Sequence, residues 1–169
     1  MKKILLVALA LLVLTASFAV AEGEIKIGQT QYAAHGTKCF AVLTVAMQGD
    51  VIADAYIDEY QFMAADSIGV PNSDADFGQS FPEGKVLASK KVNAETYSAN
   101  MAAKAGSTVS LTDNYAAIEN FVTGKTIAEV EAAFEGKTAA EAVDVVSGCT
   151  LVDTLGYVNG LVEAAKSAK

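Results

Sequence analysis

Between Phe40 and Tyr60 apolar residues recur with the period of a strand, and from Asn93 onward with that of a helix. That single change of period limits the chain more than any other feature. Strands gathered early and helices gathered late predict an α+β fold rather than alternating βαβ units. Phe40 to Met47 is rich in β-formers, Gln48-Gly49-Asp50 supplies a turn, and Val51 to Tyr60 alternates. Together they read as a β-hairpin. The alternation puts Val51, Ala53, Ala55 and Ile57 on one face, with Asp54, Tyr56 and Asp58 on the other. Residues 26–33 read as a preceding strand and Lys85 to Lys90 as a following one. Ala64 to Gly84 holds both prolines and little periodicity, and reads as a long loop.

The helical half is punctuated by glycine. Tyr97 and Met101 share a face in a segment ended by Gly106, and a second segment opens at Asp113 and stops at Gly124. Thr126 to Glu129 and Thr138 to Glu141 both have capping-box spacing, so each predicts a helix start. Leu151, Leu155, Val158, Leu161, Val162 and Ala165 form the apolar stripe of a C-terminal helix. The expected architecture is an antiparallel sheet, with its early hairpin, packed against several C-terminal helices.

The first residues carry a different message. Lys2 and Lys3 precede an uncharged apolar run from Ile4 to Leu14, and Ala19-Val20-Ala21 has small residues at the positions a signal peptidase reads. Residues 1–21 are therefore expected to be a cleavable signal peptide. The run is shorter than the roughly 20 residues a membrane-spanning helix needs. Residues 22–169 are then expected to form a single domain working outside the cytoplasm, secreted or periplasmic.

Charge narrows the partners. The chain is acidic, with a net charge of −8, and it has no arginine. Phosphate backbones are bound through clustered Lys and Arg, so nucleic acid is not an expected partner. Bidentate arginine capture of an anion is equally unavailable. Asp54, Asp58 and Glu59, and Asp74 and Asp76 in the long loop, are expected on solvated surface. His35 is the only histidine, and without a second His or a CxxC pair it reads as a loop residue rather than a metal ligand. The two cysteines of an exported chain, Cys39 and Cys149, are expected either as a disulfide or as two buried or partly reactive thiols.

The segment richest in chemical information is Asp144-Val-Val-Ser147-Gly148-Cys149-Thr150. It resembles the flavinylation motif of the FMN-binding domain family, Asp-x-x-Ser/Thr-Gly-Ala-Thr/Ser. That family includes a flavinylated component of the sodium-translocating quinone reductase and secreted bacterial flavoproteins. Asp144 matches the leading acid, Ser147 and Gly148 the central pair, and Thr150 the acceptor. Cys149 stands where the family usually has Ala. The resemblance implies that a flavin transferase, using FAD and magnesium, links FMN through its phosphate to Thr150. It implies an electron carrier rather than an enzyme in its own right, exchanging electrons with a membrane redox partner such as a quinone reductase. The alternative is an extracytoplasmic binding or structural module of the same fold without flavin.

Overall fold

The structure is a computed structural model that describes residues 23–36, 38–72 and 82–169. The expected signal peptide, Asp74 and Asp76 lie outside the described residues. Four strands form one antiparallel sheet in the order β1-β2-β3-β4: β1 (Ile25–Tyr32), β2 (Cys39–Gln48), β3 (Val51–Ala64) and β4 (Lys85–Ser89). Five helices follow: α1 (Ala94–Ala105), α2 (Leu111–Val122), α3 (Ile127–Phe134), α4 (Ala139–Val143) and α5 (Thr154–Lys166). The fold is α+β, with the hairpin strands packed against the C-terminal helices. No helix among the described residues is long and apolar enough to cross a membrane.

The helices cover one face of the sheet. Ala41, Leu43, Val45 and Met47 of β2 meet Ile52, Ala55 and Ile57 of β3 on that face, beneath Tyr115, Ile118 and Val122 of α2 and Val158, Leu161 and Val162 of α5. The strictly alternating burial of β2 is what a sheet covered on one side requires. At Gly28 in β1, an added Cβ would stand 1.8 Å from the Ala164 carbonyl oxygen of α5. Only a residue without a side chain lets strand and helix approach this closely.

The strand alternation fails at one point. Met47 pairs with Ile52 and Ala46 with Asp54, so Ala53 is an extra residue on β3. The bulge reverses the faces on either side of it. Ile52 is consequently buried and Ala53 exposed, the opposite of the expected arrangement.

Both expected capping boxes form. Thr126 accepts from the Glu129 amide and Thr138 from the Glu141 amide, and each glutamate returns the bond to the threonine backbone. The helix expected to open at Asp113 begins earlier. Ser110 is the N-cap, and its hydroxyl accepts from the Asp113 amide. Helix α5 starts at Thr154 with Asp153 at its N-cap position, so Thr150 lies ahead of the helix. The Asp153 side chain does not cap it; the carboxylate instead meets His35 Nδ1 at 2.6 Å, across the start of the helix.

Candidate flavin-attachment site

Helix α4 is only five residues long, and the chain leaves it through successive tight turns. Val145 N donates to Ala142 O, Val146 N to Val143 O and Cys149 N to Val146 O. Val146 and Cys149 are buried and anchor the turn, while Ser147, Gly148 and Thr150 face outward. Gly148 has φ +85°, in the left-handed region that favours glycine, and a Cβ there would meet only Ala117 Cβ at 3.9 Å. Its requirement for glycine is therefore conformational rather than steric. The motif's Ser-Gly pair makes an exposed turn over a buried anchor.

That turn faces α2. Ser147 and Gly148, with Ala116, Ala117, Asn120 and Phe121, line an open groove of about 550 Å³. Among the described residues Asp113 is the one charged residue in its wall, and its carboxylate takes the Ser110 hydroxyl hydrogen at 2.7 Å. No lysine lines the groove among the described residues.

Thr150 is fixed to the same helix by Asn114. The Asn114 Oδ1 accepts from the Thr150 amide at 2.6 Å and from its hydroxyl at 3.3 Å. Asn114 is itself fully buried, and its Nδ2 donates to the carbonyls of Val109 and Ser110. An exposed hydroxyl is thus tethered to a rigid buried amide. Among the expected site residues, Ser147 and Gly148 share the groove wall and Thr150 stands beside it on Asn114. Cys149 points inward, with Sγ 3.1 Å from Thr154 Oγ1. Asp144 is exposed at the C-terminal end of α4 and does not line the groove.

Cys39 and Cys149 are buried thiols rather than a disulfide. Burial pushes the Cys39 thiol up to about 11, and the neighbouring Glu59 carboxylate adds to the shift. Groups of three or more His, Cys, Asp or Glu side chains able to hold a metal ion are absent among the described residues.

Asp58 and Glu59 are buried, against the expectation of solvated surface. Asp58 accepts the Ser89 hydroxyl and the Glu59 amide. Glu59 is fully enclosed and accepts from the equally buried Lys90 ammonium. The same oxygen, Oε2, accepts from the hydroxyls of Tyr157 at 2.7 Å and Tyr115 at 3.5 Å. Its other oxygen, Oε1, meets no N–H or O–H donor among the described residues. Burial works to lower the Lys90 pKa, but the Glu59 charge and hydrogen bond leave it raised. Burial, with the nearby Glu59 charge, raises both tyrosines. Sequence reasoning missed this cluster because Lys90 is 31 residues from Glu59 and reaches it only through the pairing of β3 with β4.

No family model, curated protein or solved structure matches the chain.

Proposed function

We propose that the chain is an exported electron-carrier flavoprotein that holds FMN through a phosphoester to Thr150. The observation that carries this reading is the exposed Thr150 hydroxyl, tethered to Asn114 two residues along the chain from a groove whose described wall contains no cation. The donor set fits a covalent link better than charge-based binding of a free nucleotide. With no arginine in the chain and no lysine along the groove, nothing there would hold a phosphate by charge. A bond to Thr150 removes that need, and outside the cell it also prevents loss of the flavin by dilution. Phe121, Ala116 and Ala117 give the groove apolar surface, while Asn120 and Ser147 offer hydrogen-bonding groups.

The residues divide the work in a simple way. Gly148 lets the chain turn so that Ser147 and Thr150 emerge on the outside. Asn114 Oδ1 accepts the Thr150 hydroxyl hydrogen, which leaves the lone pairs of Oγ1 available for a bond to phosphorus. Thr150 would hold FMN as a phosphoester through Oγ1. FMN held there would supply the redox chemistry, and the groove residues would hold and orient it. The partners of this reading are a flavin transferase and a membrane redox protein.

Co-expression with a flavin transferase tests it. The wild-type chain should be yellow and heavier by one FMN phosphoester, and Thr150→Ala should be colourless and unmodified. Ser147→Ala should still be modified. Because Thr150 is exposed and does not cap α5, Thr150→Ala should change stability by only about 0.5 kcal/mol. Flavin retained by denatured Thr150→Ala would defeat the assignment. An unmodified wild type beside an active transferase would favour the flavin-free binding module.

A further inference from the structure

Helices α3 and α5 enclose a groove of about 630 Å³ between them. Its α3 wall is Ala128, Glu131, Ala132 and Glu135, the last at the helix C-cap, and its α5 wall is Leu155, Val158, Asn159 and Val162. Both sets follow the spacing i, i+3, i+4, i+7, so each wall runs straight for roughly two helical turns, or about 11 Å. The buried side chains of Val130 and Phe134 form the floor. Ala128 and Ala132 are exposed and one turn apart, and their small side chains leave the groove open along α3.

The charges at its lip have one sign. Among the described residues Glu131 and Glu135 line the groove and no lysine does. Both stand at the C-terminal end of α3, whose last turn has no basic residue. A helix C-terminus is itself the negative end of the helix dipole, so two carboxylates there deepen the negative potential. Lys166 meets Glu131 at 2.9 Å and Glu163 at 3.2 Å, one exposed ammonium shared between two half-exposed carboxylates. Glu135 takes part in no salt bridge among the described residues.

We propose that this groove docks a short cationic amphipathic helix of a partner protein, its apolar stripe against Leu155, Val158 and the two alanines and its lysines or arginines against Glu131 and Glu135. A helix matches the walls, because anchors at i, i+3, i+4 and i+7 span the same two turns. The backbone groups of α3 and α5 are paired within their own helices, so an extended peptide would find little to bond there. Positive charge on the partner meets the uncompensated carboxylates at the lip. A second copy of the chain is the poorer occupant, because a symmetric contact would set Glu131 and Glu135 against their own like charge. Thr150 does not line this groove, and the inference does not depend on flavin.

Two synthetic peptides are suitable probes: an alanine-based helix with leucines at i, i+3, i+4 and i+7 and flanking lysines, and the same helix with glutamines for the lysines. Titrated into the isotopically labelled full chain, the lysine peptide should bind saturably and perturb the amides of Ala132, Leu155 and Asn159. The glutamine peptide should bind about fivefold more weakly, the size expected for exposed charge contacts. The double variant Glu131→Gln, Glu135→Gln changes only exposed side chains and should erase that preference. Ala132→Gln puts a longer neutral side chain into the groove and should weaken both peptides alike. Absence of saturable binding, equal affinity for the two peptides, an unchanged preference in the double variant, undiminished binding to Ala132→Gln, or perturbations confined to other faces would each overturn the proposal. So would sedimentation showing a dimer closed over this groove that the lysine peptide does not displace.

Discussion

Glu59 and Lys90 show how one residue's meaning depends on a partner far away in the chain. As one acid among twenty, Glu59 gives no sequence signal of burial. In the folded chain it gathers Lys90, Tyr115 and Tyr157 on one oxygen and so ties β3 and the end of β4 to α2 and α5. Removing one member of such a pair leaves the other charge buried alone. Lys90→Met should therefore destabilise the protein by about 3–5 kcal/mol, measured by urea unfolding. A loss below about 1 kcal/mol would mean that the pair is not closed as described. Thr150 is the contrasting case. Its motif is local and stands out in the sequence, but the buried Asn114 that holds it comes from a helix 36 residues earlier and does not.

Among the elements, legibility followed the range of the interactions involved. The two threonine capping boxes depend on contacts three residues apart, and both formed where their spacing placed them. The four strands formed close to their expected bounds, and the C-terminal helix carries its stripe from Leu155 onward, with Leu151 ahead of its start. The bulge at Ala53 did not, because an inserted residue breaks the very alternation used to assign faces. Nor could spacing show how closely α5 would lie on β1, which is fixed by Gly28. Gly28→Ala would drive a methyl group into the Ala164 carbonyl, a backbone neighbour with no rotamer to yield. The expected cost is about 3 kcal/mol, at the upper end for overpacking, read as a lower urea midpoint. An unchanged midpoint would show that α5 can move away freely.

At the scale of the molecule, the buried cluster sets a direction for pH dependence. Cys39 is raised from 9.0, Tyr115 and Tyr157 from 10.0, and Lys90 from 10.5. A group whose folded pKa is raised contributes stability that is complete below its unfolded value and is lost as pH climbs through the folded value. All four act in the same sense, so stability should fall from about pH 9 upward, and urea midpoints taken from about pH 8 to about pH 11 should decline steadily. A flat profile would show that the cluster opens to water. Lys90→Met should flatten part of the decline, since it removes one of the four groups.

The same architecture brings the turn after α4 against α2, and the flavoprotein reading rests most heavily on what is joined to that turn. Trypsin would release residues 138–166 as one peptide, which contains Thr138, Ser147, Thr150 and Thr154. Fragment-ion mass spectrometry of that peptide, from protein made beside an active flavin transferase, tests the central claim directly. The expected result is an FMN phosphoester on Thr150 and on no other hydroxyl. An unmodified peptide, or an adduct on Thr138, Ser147 or Thr154 instead, would contradict it.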